Sequence, residues 1–268
     1  MRQRKTGQFY GETNHTLNFE GLTLTDTVYT DDKVDWHYHE NAYFTFILDG
    51  NLVEGNKKEI NHCSAGGLLF HHWQDAHYNI KPKGFTRGFH IELEPSWFKI
   101  NGIDHNALQG SVRLNDPQLK NLIYGILKES KLDNSAGSLA INMLLVELLN
   151  KAAVGEYRPA LQKPQWVYQL RELFNDYPAY HWTLSELAEQ LSIHPIHLSR
   201  AFPSYFNCGL GDYIRAIKIQ KALTMLVLKK TSLTTIALEC GFADQSHFSR
   251  SFKSMYQISP LTFRKLLV

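Results

Sequence analysis

Cysteine is scarce in this 268-residue sequence: Cys63, Cys208 and Cys240 form an odd, scattered set without metal-ligand spacing, which excludes a disulfide framework and fits reduced thiols. No apolar run approaches the length of a membrane span, so no membrane partner is expected. The basic start, Met1 to Lys5, leads into Thr6, Gly7 and Gln8 rather than an apolar segment, and the expectation is a cytoplasmic protein without a secretory signal. Charge of one sign is missing as well, with 28 Lys and Arg against 26 Asp and Glu. With 43% hydrophobic and 20% charged residues, the composition is that of a folded globular protein, long enough for two domains.

The near balance of charge hides a division. Residues 1–163 hold 17 basic against 19 acidic side chains, whereas residues 164–268 hold 11 against 7. The downstream excess comes from Arg200, Lys218, Lys221, Lys229, Lys230, Arg250, Lys253, Arg264 and Lys265, a distribution that hints at nucleic acid.

Residues 17–94 carry short β-rich segments around Leu22–Thr25, Tyr43–Leu48, Gly67–Phe70 and Gly88–Ile91, the pattern of an all-β sandwich or barrel. Near residue 115 the period changes. Asp116 offers an N-cap, Pro117 suits the first helical turn, and Leu119, Leu122, Ile123, Ile126 and Leu127 share a helix face, predicting a helix to about residue 131. A second helix is predicted from Ser138 to Ala153, apolar on more than one face, which implies either packing within the chain or a homodimer interface. The proline-bearing stretch from Gly155 to Pro164 reads as a linker, and from Gln165 onward everything looks helical. The expected organisation is therefore α+β and multidomain: a β-rich unit over 1–112, a helical connector over 113–163 and an all-α unit over 164–268.

Comparing the C-terminal segment with itself at an offset of 50 exposes an internal duplication: Leu187–Phe202 matches Ala237–Phe252, with identities at Glu189/Glu239, His197/His247, Ser199/Ser249, Arg200/Arg250 and Phe202/Phe252. Each copy reads as a short helix, a tight turn and a second helix. In the second copy Gly241 supplies the turn, Phe242 plugs the angle and Asp244 caps a helix whose Phe248 and Phe252 face inward, leaving Gln245, Ser246, Ser249, Arg250 and Lys253 outside. In the first, Thr183 caps Leu184–Leu191, Pro195 starts the second helix, and Ile196, Ser199 and Arg200 remain outside. An arginine there can read guanine, grip a phosphate, or pair with the helix-one residues Glu189 and Glu239.

Residues 183–266 resemble the DNA-binding domain of the AraC/XylS family. The resemblance rests on Leu187, Ala188, the Leu198–Phe202 segment, Tyr213, Ile214, Ala222, Ile236, Ala237, the run from Gly241 to Lys253, and Pro260 through Arg264. It implies two helix-turn-helix units joined by a long central helix, here about Gly209 to Leu228, with both second helices entering successive major grooves about 34 Å apart. Departures are Pro203, which predicts that the first recognition helix kinks or ends early, Asn207 and Gln257 at the usual glycine positions, and Lys218 for the common arginine.

Upstream, Trp36-His37-Tyr38-His39-Glu40, then Gly50, Gly66-Gly67 and His77, resemble the two motifs of a cupin barrel. In metal-binding cupins such motifs supply three histidines, here His37, His39 and His77, plus a carboxylate; at the carboxylate's place this chain has Tyr43 and Phe44, and Glu40 falls too early. We therefore rank a small organic effector, bound by Trp36, His37, Tyr38, His39, Phe46, Trp73 and His77, ahead of a divalent metal. The resemblances together imply a DNA-binding transcription activator under effector control, acting on double-stranded promoter DNA with RNA polymerase and without catalytic activity. A metal-dependent cupin enzyme fused to a DNA reader and an effector-independent architectural binder are the alternatives.

Overall fold

A computed structural model describes residues 2–132, 137–157, 164–177, 180, 182–227 and 231–267. The chain divides into two compact units, Met1–Tyr157 and Arg158–Val268. The first is β-rich and the second helical, an α+β arrangement of two domains. The expected linker falls largely on residues 158–163, outside the described residues, and helix already extends to Tyr157.

In chain order the first unit holds β1 (Arg2–Arg4), β2 (Glu12–Phe19), β3 (Leu22–Val28), β4 (Lys33–His39), β5 (Ala42–Asp49), β6 (Asn51–Asn56), β7 (Ile60–Ser64), β8 (Leu68–His71), β9 (His77–Ile80), β10 (Arg87–Leu93), α1 (Pro95–Ile100), β11 (Ser111–Arg113), α2 (Pro117–Ser130) and α3 (Gly137–Tyr157). The strands form a five-stranded sheet, β1-β4-β9-β6-β7, and a six-stranded sheet, β11-β8-β5-β10-β3-β2. Only β1 and β4 run parallel among the described pairs.

The chain passes from β5 of one sheet to β6 of the other at Gly50. Its φ of +79° is left-handed, and an added Cβ would lie 2.0 Å from the carbonyl oxygen of Phe85, so glycine is required there. Strand β5 is aromatic and apolar almost throughout and is buried on both faces. One face, Phe44 and Phe46, is fully buried; Phe46 meets Tyr124 of α2 edge-on at 4.8 Å. The other face, Tyr43 and Thr45, looks between the sheets.

Helix α2 begins as its sequence requires, with the Asp116 carboxylate accepting the amide of Gln118 and Pro117 in the first turn. Its C-terminal end is tied to the sheet by Asp26. That buried carboxylate receives two parallel hydrogen bonds of 2.7 Å from Arg87 and a third, of 2.9 Å, from Lys131. Burial pushes the Asp26 carboxyl up, but Arg87 and Lys131 override it and hold it below the usual range. Helix α3 buries Ile141, Leu145, Leu148 and Leu149 and leaves Leu139 and Met143 exposed.

The second unit comprises α4 (Gln165–Asp176), α5 (Leu184–Gln190), α6 (Pro195–Phe206), α7 (Leu210–Val227), α8 (Leu233–Glu239), α9 (Gln245–Tyr256) and α10 (Pro260–Leu267). Trp166, Val167, Leu170 and Phe174 of α4 share a core with Leu187 of α5, Leu198, Phe202 and Phe206 of α6 and Tyr213 of α7. On the other side, Phe252 of α9 contacts the rings of Phe248, Tyr256 and Phe263, the last on α10. No helix among the described residues is long and apolar enough to cross a membrane.

Candidate nucleic-acid interface and buried polar cavity

Between the two sheets lies a cavity lined by side chains from both. Strand alternation explains its composition. On β4, His37 and His39 point inward, while Trp36 and Tyr38 fall on the opposite phase; Trp36 packs on the Tyr78 ring at 5.2 Å and is 40% exposed. His37 is directly opposite His77 in the β4–β9 register. Glu54 arrives from β6, Tyr43 from β5, and Tyr29 and His90 close the far side. His71 of β8 stacks on Tyr43 at 4.4 Å and stands 4.8 Å from the His77 ring.

Of the residues expected to bind an effector, His37, His39 and His77 meet in this cavity, and Trp36, Tyr38, Phe46 and Trp73 do not line it. Phe46 has the wrong parity on β5, and Trp73 lies 42% exposed in the turn after β8. Four lining or neighbouring residues escape motif reading, namely Glu54, His71, Tyr43 and His90. A buried charge in the otherwise apolar stretch Leu52–Glu54 is the one signal that could have found the first.

The imidazoles are held in defined states. His37 Nδ1 lies 3.0 Å from the carbonyl of Asp35, and His77 Nδ1 lies 3.1 Å from that of Asp75, so each Nδ1–H donates to the backbone. Burial depresses His37 to about 4 and His77 to about 3, leaving both neutral near pH 7. The phenol of Tyr43, which burial pushes well up, donates to His77 Nε2 at 2.9 Å. Glu54 is 2% exposed, yet its carboxyl is held below its ordinary value because His71, then His77 and His37, face it. Phe9 stacks on His90 at 3.7 Å and on His39 at 4.9 Å. The space left measures about 10 Å³, room for one water or ion and far below the roughly 300 Å³ at which small-molecule pockets begin.

The helical unit shows the opposite disposition. Helix α5 opens with a capping box, in which Thr183 Oγ1 accepts the Glu186 amide and Glu186 accepts the Thr183 amide. Helix α6 is capped by His194, whose Nδ1 accepts the Ile196 amide, and α9 by Asp244, which accepts the His247 amide at 2.6 Å. Leu198, Phe202 and Phe206 of α6 are buried, as are Phe248, Phe252 and Tyr256 of α9. Ile196, Ser199, Arg200, Gln245, Ser246, Arg250 and Lys253 are exposed and Ser249 is half-buried. A family model described as a helix-turn-helix domain matches residues 187–266, spanning both pairs. The C-terminal unit carries an AraC-type helix-turn-helix domain.

Curated relatives carry helix-turn-helix regulator names. A protein named an uncharacterized HTH-type transcriptional regulator in Haemophilus influenzae is 27% identical over 164 residues, covering 58% of this chain and 54% of its own length. The HTH-type transcriptional activator RhaR of Mannheimia succiniciproducens is 23% identical over 242 residues, 87% of each chain. The chain thus spans about half the length of the first relative and most of the second. Among solved structures, ToxT from Vibrio cholerae aligns over 91% of this chain and 99% of its own at 13% identity, with a TM-score of 0.39.

Within the AraC-type domain the two pairs are not strict copies. Each first helix ends in a left-handed residue, Ser192 with φ 53° and Gly241 with φ 76°. The next amide bonds back to an alanine carbonyl at 2.9 Å, Ile193 to Ala188 and Phe242 to Ala237. The first helices therefore correspond at an offset of 49, Leu187 with Ile236 and Ala188 with Ala237, while the second helices correspond at 50. The second turn is longer by one residue, and the Glu189/Glu239 identity is not a structural equivalence. Arg200 and Arg250 make no ion pair with either glutamate among the described residues.

Pro203 does not end α6 early, since the helix runs through it to Phe206. Its missing amide affects only the Ser199 carbonyl, on an exposed stretch that water reaches. Asn207 and Gln257 both take the left-handed cap conformation. Part of the basic excess serves the fold. Lys218 Nζ donates to the Gly241 carbonyl at 2.7 Å and Lys221 to that of Glu239 at 2.8 Å, closing the end of α8, and Arg264 donates to Thr231. Lys229 and Lys230 lie outside the described residues.

Proposed function

We propose that the protein is a sequence-specific transcription regulator, an activator, whose α6 and α9 read two major grooves of promoter DNA and whose β-rich unit senses a small ligand. The observation that carries this reading is the exposed face of each second helix. Arg200 and Arg250 occupy matching places on α6 and α9, both exposed and free of intramolecular ion pairs among the described residues, above cores that fix each helix rigidly. A guanidinium presented this way can reach guanine O6 and N7 bidentately or grip a phosphate. Ser246 and Lys253 extend the face on α9, and Ile196 and Ser199 that on α6. Gln245 is shared, since its Oε1 accepts the Thr234 hydroxyl at 2.7 Å.

The two-sheet unit fits a cupin-like sensor, with the His37–His39 pair on β4 and His77 on β9 supporting that reading. An organic effector must displace Phe9 before it fits, because the present void admits only a water or an ion. The same limit disfavours a fused metal enzyme, which has to hold metal and substrate together. The exposed Leu139 and Met143 of α3 support a homodimer, and RNA polymerase is the expected partner at the promoter.

Footprinting of the full chain on DNA upstream of its own gene tests the reading. The expected result is asymmetric protection of two major grooves centred about 10 base pairs apart. Equal binding to all sequences overturns it.

A further inference from the structure

We propose that Glu54, His71 and His77 hold one divalent first-row transition-metal ion between the two sheets. The carboxylate absent from the first histidine motif is thus supplied from a different strand. The inference deepens the sensor reading above by naming a ligand class, but its test does not depend on DNA binding.

The first ground is proximity. One potential ligand atom from each of Glu54, His71 and His77 lies within 4.8 Å of the others, and the same holds for His37, His39 and His77, so the two groups meet at His77. Glu54 Oε2 and His71 Nε2 are 3.2 Å apart without hydrogen-bond alignment. Two donors at zinc-ligand distance from one ion in tetrahedral geometry are separated by about 3.3 Å.

The second ground is unsatisfied polarity. Glu54 Oε1, His39 Nδ1 and Asn79 Oδ1, all on residues that line the cavity, are buried with no hydrogen-bond partner, and His71 Nε2 beside it has only the Glu54 carboxylate at 3.2 Å. Buried polar atoms usually find a partner, so orphans gathered on the residues of one small void point to a polar or ionic occupant, a water or an ion.

The third ground is orientation. His77 donates Nδ1–H to the Asp75 carbonyl, which leaves Nε2 as its coordinating nitrogen, now accepting from Tyr43, and His71 Nε2 faces the Glu54 carboxylate at 3.2 Å. Holding the outer nitrogen in this way fixes the tautomer that coordinates. The void of about 10 Å³ matches a single ion. Binding does require the Tyr43 hydroxyl to leave His77 Nε2. A set of imidazoles with one carboxylate selects zinc, cobalt, manganese or iron over magnesium and calcium, which take oxygen shells.

The test is a titration of the metal-stripped full-length chain with Zn²⁺, Co²⁺ and Mg²⁺ in the absence of DNA, followed by calorimetry and thermal melting. One equivalent of Zn²⁺ should bind and raise the melting temperature of the β-rich unit, Mg²⁺ should do neither, and Glu54→Gln and His71→Gln should each weaken Zn²⁺ at least about tenfold. No zinc binding by the folded wild type, or binding indifferent to both substitutions and lost only in His39→Gln, overturns the proposal. Should the variants fail to fold, the visible spectrum of the wild-type Co²⁺ complex decides: intense bands of a four- or five-coordinate ion support the site, and the weak spectrum of a hydrated ion overturns it. DNA binding by the stripped protein is scored separately, so loss of the regulator reading and loss of the metal site are distinguishable.

Discussion

The two units place their chemistry on opposite sides of their surfaces. The β-rich unit turns His37, His71, His77 and Glu54 inward, where burial sets their protonation, while the helical unit buries aromatic rings and holds Arg200 and Arg250 in water. Inward polar groups must find partners or be filled, so they couple function to stability; outward ones can change with little effect on the fold. Substitutions should therefore divide by unit.

The largest effect is expected at Asp26. Asp26→Asn removes the negative charge and one of the two acceptor oxygens that Arg87 and Lys131 share at a buried position, and because both cations keep partial access to water the loss should sit near the lower end of about 3–5 kcal/mol. Hydrogen exchange should show lost protection in β3 and β10 with α6 and α9 unchanged; a uniform loss would join the two units energetically.

Next comes Glu92, on the inner side of β10, which accepts the Gly7 amide at 2.6 Å and the Asn41 amide group at 3.2 Å. Burial raises its carboxyl to about 7. Its folded value lies above the unfolded one, so its stabilisation is complete below about 4.5 and lost as pH rises through about 7. Stability in urea unfolding should fall by about 1–3 kcal/mol between pH 4 and pH 8, and Glu92→Gln should flatten that fall.

In the helical unit, Arg250→Ala should leave stability within about 0.5 kcal/mol and weaken specific DNA binding by about 1–3 kcal/mol if the side chain reads a base. An equal loss on every sequence would make it a phosphate contact. The smallest effect belongs to Gln257, left-handed with φ 61° at the end of α9. Gln257→Gly should raise the melting temperature slightly, with a gain below about 1 kcal/mol.

Legibility followed the same division. The helix pairs were readable because caps and aromatic spacing are local: Thr183, Asp244, Phe248 and Phe252 stand where the sequence places them. The offset of 49 in the first helices was not, since identity at Glu189/Glu239 outvoted the buried pairs Leu187/Ile236 and Ala188/Ala237. In the β-rich unit the histidine motifs located the cavity, but its wall depends on strand parity and on which strands face each other across the sheets. Phe46 and Tyr38 missed it by one residue of phase. Glu54 and His71 reach it through pairings of β6 with β9 and β8 with β5, which no local pattern encodes.

The longer second turn has a consequence for modularity. Ser192 and Gly241 end matching helices, yet four residues separate α5 from α6 and five separate α8 from α9. One added residue changes how each second helix leaves its first, so the two reading heads are not interchangeable parts. Duplication supplied a second helix pair, and that single residue sets its connection apart from the first, so a change in one turn has no direct counterpart in the other.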